Sequence, residues 1–175
     1  MRRSIVSTLS ALVLIGAVSP AVAATQPAHS TSAGDTVVNS GALLDLQPQT
    51  ANPTDGASAA LVATTTGESA RHHLVVWNLD ASSAGRTFGV HVHVGSCVPG
   101  NGDAAGPHYN TGGPPSPTTE VWLDFTATNA GTAWSQATTP FAIPTGQANA
   151  LVIHDKPTAP DGDAGDRIAC LPAPY

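Results

Sequence analysis

From residue 35 onward the apolar positions come in short runs separated by turn-forming residues, and no segment sustains a helical period. Where apolar and polar residues alternate they do so with period two, the spacing that puts successive side chains on opposite faces of a strand. Arg71–Leu79 alternates in this way: His73, Val75, Trp77 and Leu79 share one face, while His72, Leu74, Val76 and Asn78 share the other. Thr87–Val94 behaves similarly, with Phe88, Val90, Val92 and Val94 turned one way and His91 and His93 the other. Further strands are predicted over Ala42–Leu46, Ala60–Thr65, Val121–Thr128, Thr132–Thr138, Asn149–His154 and Arg167–Leu171. Between them ANPTDG, TTTGES, TNAG and IPTGQ carry turn chemistry. Eight short strands at this spacing predict an all-β domain, a sandwich or flattened barrel. His72 and His73 are expected to be exposed strand residues. Two segments are too long for hairpin turns, Val94–Glu120 and a Gly-, Pro- and Asp-rich loop from Asp155 to Asp166. Long loops on a compact β domain are where binding and catalysis concentrate.

The first residues follow a different pattern. Met1-Arg2-Arg3 is basic, Ile5–Val18 is mostly apolar, and Ala21-Val22-Ala23 has the small-x-small form that a signal peptidase cuts after. Residues 1–23 are therefore expected to be a secretory signal peptide; Ser7, Ser10 and Pro20 leave the run too short for a membrane anchor. Residues 24–34, which include His29, are small and polar and are expected to be a flexible tether, with residues 35–175 as the folded domain. Removing Arg2 and Arg3 leaves four Lys and Arg against twelve Asp and Glu, so the formal charge moves from −6 to −8. Such a chain lacks the basic cluster that nucleic acid requires, and after cleavage no membrane segment is expected. Cys97 and Cys170 are the only cysteines, and an even pair in a chain bound for an oxidising compartment reads as a disulfide.

Histidine placement carries the candidate chemistry. On one strand His91 and His93 project together with Cα atoms about 6.5–7 Å apart, a spacing that lets two imidazoles share one metal ion. His108 lies in the first long loop among small, turn-forming neighbours, and His154 closes the run ALVIH just before DKP stops the strand. Four imidazoles with no thiolate favour Cu(II) over structural zinc, which is usually tetrahedral and often thiolate-bound.

The segments HVHVGSC, AGPHYN, ALVIHDKP and GDAGDRIAC, in that order, resemble the signature segments of copper/zinc superoxide dismutases. The resemblance runs from about Leu74 to Cys170. It implies an eight-stranded Greek-key β-barrel with two long functional loops. It also implies that His91, His93, His108 and His154 are copper ligands, that Arg167 holds the anion beside copper, and that Cys97 pairs with Cys170. His108 would be the family's bridging histidine, with a second duty in proton transfer.

Copper/zinc members supply two more histidines and an aspartate after that bridging residue. Here YNTGGPPSPTTEVWLDF contains no histidine, so zinc is expected to be absent and the protein to be a secreted bacterial copper-only member. Glu120 or Asp124 is expected to accept a hydrogen bond from the free nitrogen of His108 in place of zinc. The loop between His154 and Arg167 is short, so the copper is expected to be comparatively open to solvent. The implied activity is copper-dependent dismutation of superoxide to O2 and H2O2 outside the cytoplasm, cycling Cu(II) and Cu(I). The alternative is a secreted copper-binding or buffering protein with the same barrel and little catalysis; the oligomeric state is not readable from these residues.

Overall fold

A computed structural model of the chain describes residues 34–175. The expected signal peptide, His29 and all but the last residue of the expected tether lie outside them. The described residues form ten strand segments: β1 (Thr36–Ala42), β2 (Leu44–Asp45), β3 (Ser58–Thr66), β4 (Ser69–Trp77), β5 (Thr87–Phe88), β6 (Val90–His93), β7 (Phe125–Thr126), β8 (Ala133–Thr139), β9 (Ala150–His154) and β10 (Arg167–Pro172). Leu43 interrupts one strand to give β1 and β2, and Gly89 interrupts another to give β5 and β6. Counting each broken pair once leaves eight strands, the expected number.

One sheet has the order β1-β3-β4-β8 and the other β2-β10-β9-β6, with β5 and β7 paired beside them; every pairing is antiparallel. Because β4 pairs with β8 and β6 with β9, the chain crosses between sheets, as a Greek-key fold requires. The main core lies between the sheets and includes Leu61, Leu74, Phe88, Val90, Leu151 and Ile153. Burying each such side chain contributes about 1.5–3 kcal/mol.

β6 and β9 are buried on both faces. Their second face is covered by the first long loop, held over it by a smaller cluster of Leu46, Ala105, Ala150, Val152 and Cys170 with Cys97 packed against it. The Cys97–Cys170 disulfide, with Cα atoms 5.7 Å apart, ties that loop to β10. The chain-entropy model assigns a bridge closing so long a stretch about 4 kcal/mol.

Three expectations need correction. The first strand begins at Thr36 rather than Ala42: β1 is an edge strand carrying Asn39, Ser40 and Gly41, too polar for the hydrophobic pattern to reveal, yet it pairs with β3 along its full length. Of the expected strand Val121–Thr128, only Phe125–Thr126 forms a strand, with an isolated bridge between Trp122 and His91. His72 is fully buried, and only His73 is exposed. Both faces of β4 carry apolar residues, so its phase was not readable from sequence. The register settles it, placing Leu74 and Val76 inward opposite Leu61 and Ala59 and carrying His72 in with them.

Candidate metal centre

The structure brings His91, His93, His108 and His154 together, each offering one nitrogen within 4.8 Å of the others. Pleating points His91 and His93 away from Val90 and Val92, out of the main core and under the loop. The loop returns alongside β6, where Tyr109 N–H donates to Val92 O at 2.8 Å and Val94 N–H to Pro107 O at 3.1 Å. This return sets His108 beside the pair, with ring centroids 4.1 Å from His91 and 4.7 Å from His93. His154 arrives on β9, its centroid 5.0 Å from His91. Three rings are buried, and His108 alone keeps a partly exposed side chain. The expected openness is therefore confined to the His108 side.

Hydrogen-bond partners assign the tautomers, because a carbonyl or carboxylate oxygen only accepts. His93 Nδ1–H donates to Gly106 O at 3.0 Å, His154 Nδ1–H to Gly165 O at 3.2 Å and His108 Nδ1–H to Glu120 Oε2 at 2.9 Å. Each of these rings is left with an Nε2 lone pair. His93 Nε2 and His154 Nε2 face one another at 3.4 Å with no proton between them. His91 is oriented the other way round: Nε2 lies 2.8 Å from Thr158 Oγ1, and Nδ1 is the one buried side-chain polar atom without a hydrogen-bond partner among the described residues. Such an orphan costs roughly 1–3 kcal/mol. Four converging lone pairs repel unless a cation sits among them, and an all-imidazole set suits copper, zinc or a similar divalent ion. The residues present fit a metal.

Electrostatics point the same way. Burial, reinforced by the charge each neighbouring imidazole would carry, pushes His91 down to about 2. Burial also leads in taking His93 to about 3 and His154 to about 4, and nearby Arg167 adds to both shifts. All three rings are neutral at neutral pH, the state in which imidazole binds metal. Burial would raise the Glu120 pKa, but hydrogen bonds from Trp122, Asn110 and His108 outweigh it and hold the carboxyl below its usual range. Trp122 Nε1–H reaches Oε2 at 2.9 Å and Asn110 Nδ2–H reaches Oε1 at 2.9 Å.

Of the two carboxylates expected at His108, only Glu120 is there. Asp124 instead accepts hydrogen bonds from Val90 N–H at 3.2 Å, Thr158 N–H at 2.9 Å and Thr158 Oγ1–H at 2.6 Å. Its segment runs beside β6, where Leu123 N–H donates to Val90 O at 2.8 Å. Arg167 lies opposite His154 at a bulge in β10, where the register slips by one residue, and its Nη1 donates to Gly102 O at 2.8 Å. Bulges commonly re-aim a side chain beside an active site. Sequence reasoning missed Thr158, and no local pattern marked it.

The family model for copper/zinc superoxide dismutase matches residues 57–171. No curated protein matches the chain. The chain belongs to the copper/zinc superoxide dismutase family.

Proposed function

Starting from that membership, we propose that this protein is a secreted, copper-dependent superoxide dismutase that works without zinc. The observation that carries the reading is the convergence of four imidazoles, each offering one nitrogen within 4.8 Å of the others, with Arg167 paired opposite His154 on the neighbouring strand. His91 through Nδ1, and His93, His108 and His154 through Nε2, would hold the ion. Copper, when bound, supplies a one-electron couple between Cu(II) and Cu(I), which an all-nitrogen site supports. The net reaction consumes two superoxide anions and two protons and yields O2 and H2O2.

The chain's own residues supply the rest. Arg167 offers a fixed positive charge and a planar fork of donors suited to a small anion. The formal charge, −6 for the whole chain and −8 without Arg2 and Arg3, repels superoxide at a distance, but exposed charges are screened over roughly 8–10 Å at physiological salt. Local charge at Arg167 therefore dominates the last approach. His108 is the ring best placed to hold a proton on its way to peroxide, since it reaches solvent and its Nδ1–H is anchored on Glu120. The same anchor supports the copper-only reading: a nitrogen whose proton is committed to Glu120 is not free to bind a second metal. The signal-like residues 1–23 and the disulfide support a location outside the cytoplasm.

Retention of Arg167 favours dismutation over copper buffering, because storage needs no anion site. The test is superoxide turnover and metal content of the copper-loaded protein and of R167A. Turnover is expected to fall about 100-fold in the variant with copper retained, the scale of losing one preorganised donor for developing negative charge. Equal turnover in the two proteins, or none in the parent, would overturn the reading.

A further inference from the structure

We propose that Thr158 and Asp124 are positioning residues that together hold His91 in the tautomer whose Nδ1 lone pair faces the other three imidazoles. The inference rests on the copper reading only for its consequence, since the tautomer is a property of the metal-free chain.

Three of the four rings take their tautomer from a partner that cannot donate: the carbonyls of Gly106 and Gly165 and the carboxylate of Glu120. His91 differs. Its Nε2 meets a hydroxyl, Thr158 Oγ1, at 2.8 Å, and a hydroxyl donates or accepts with equal ease. Thr158 by itself would permit either tautomer, and one of them would place a proton on Nδ1 where the ligand lone pair has to be. Asp124 removes the ambiguity. Its Oδ1 lies 2.6 Å from Thr158 Oγ1 and, as a carboxylate oxygen, takes the hydroxyl hydrogen. The hydroxyl oxygen is left with only lone pairs toward His91, so Nε2 carries the proton and Nδ1 is bare, in agreement with its having no partner.

Asp124 is itself clamped. Oδ2 accepts from Thr158 N–H at 2.9 Å and Oδ1 also accepts from Val90 N–H at 3.2 Å, so one carboxylate grips the loop and the strand that carries His91. Gly89 makes the approach sterically feasible. A Cβ there would lie 2.9 Å from Thr158 Oγ1, 2.9 Å from Lys156 O and 2.6 Å from Ala164 Cβ, and the glycine N–H already donates to Lys156 O at 2.6 Å. The strand break between β5 and β6 is thus the place where the second loop docks.

The experiment uses the full chain with three variants: T158V, which keeps the shape and removes the hydroxyl, T158S, which restores it, and D124N. In D124N the amide can donate to the Thr158 oxygen and turn the hydroxyl hydrogen toward His91. Nitrogen-15 NMR of the metal-free proteins at neutral pH, with the His91 signals identified by their loss in H91Q, reads the tautomer directly. Competition titration with Cu(II) reads affinity. The parent and T158S are expected to carry the proton on His91 Nε2. T158V and D124N are expected to populate the Nδ1–H form and to bind Cu(II) 10–100-fold more weakly, the usual cost of losing an outer hydrogen-bond partner of a metal ligand. A His91 that stays Nε2–H in T158V with affinity within about twofold of the parent would overturn the proposal, and the same outcome in D124N would overturn it if T158V does not fold. A parent chain that shows the tautomer pattern but binds no copper would sink the copper reading and leave the relay standing.

Discussion

Two buried histidine environments in this molecule look alike by burial and differ in what their nitrogens meet. His72, inside the β1-β3-β4-β8 sheet, has Nδ1 3.2 Å from the Tyr175 hydroxyl and Nε2 3.4 Å from Thr139 Oγ1. Thr139 Oγ1 donates onward to Phe141 O at 2.7 Å, so it accepts from His72 Nε2–H, and the Tyr175 hydroxyl, which burial keeps protonated, donates to Nδ1. Both nitrogens are used. Burial, then the charge on neighbouring His73, takes His72 to about 4, the same place His154 reaches in the metal centre. Depressed basicity therefore does not distinguish a packed histidine from a ligand. The unsatisfied lone pair does, and only the second environment has it.

The strongest way to break this contrast is to delete one histidine from each environment. H154A is expected to abolish stoichiometric copper binding, an effect larger than the 10–100-fold of an outer partner, whereas H72A should keep one copper per chain. Metal analysis after dialysis against micromolar copper separates the outcomes. Equal copper loss in both variants would erase the distinction.

Next in size is the response of the metal-free protein to acid. His72, His91, His93 and His154 all have folded values below 6.5, so from pH 6.5 downward the unfolded chain binds more protons than the folded one and stability falls. Each group contributes up to about 1.4 kcal/mol per pH unit. The loss continues until pH reaches about 4 for His72 and His154, about 3 for His93 and about 2 for His91. Denaturant unfolding between pH 7 and 4 should show this slope; H72Q should flatten it by one group's share while leaving the stability gained on adding copper unchanged. A pH-independent midpoint would contradict the assignment of neutral buried rings.

At neutral pH, H72A is expected to lower stability by about 2–4 kcal/mol, from the cavity and from the stranded Tyr175 and Thr139 groups. The change would be read as a shift in the denaturation midpoint. The mildest change is E120Q, which keeps an oxygen for His108 Nδ1–H but removes the charge; copper affinity is expected to fall about tenfold with the fold intact. Affinity unchanged in E120Q would mean that the His108 orientation depends on the loop alone.

Much of this arrangement was legible in the residues. Period-two alternation gave the strands, the His-x-His spacing gave the shared face, and the paired cysteines gave the staple. What escaped was whatever depended on phase or on contacts between segments distant in sequence. His72 and His73 are adjacent, both faces of β4 are apolar, and only the pairing with β3 decides which histidine goes inward. Glu120 and Asp124 are both carboxylates, four residues apart on either side of Trp122, which bridges to His91; one meets His108 and the other Thr158. Thr158 itself lies in a loop whose sequence gives no sign that a missing side chain at Gly89 lets it reach β6.

The most direct test of the metal centre is electron paramagnetic resonance of the full chain loaded with one equivalent of Cu(II), prepared with natural-abundance and with nitrogen-15 histidine. A single saturable, axial signal whose hyperfine structure requires four imidazole nitrogens, unchanged in H72Q and altered in each of the variants H91Q, H93Q, H108Q and H154Q, is the expected result. A signal with fewer nitrogens, or one that persists unaltered when any of those four histidines is replaced, would contradict it.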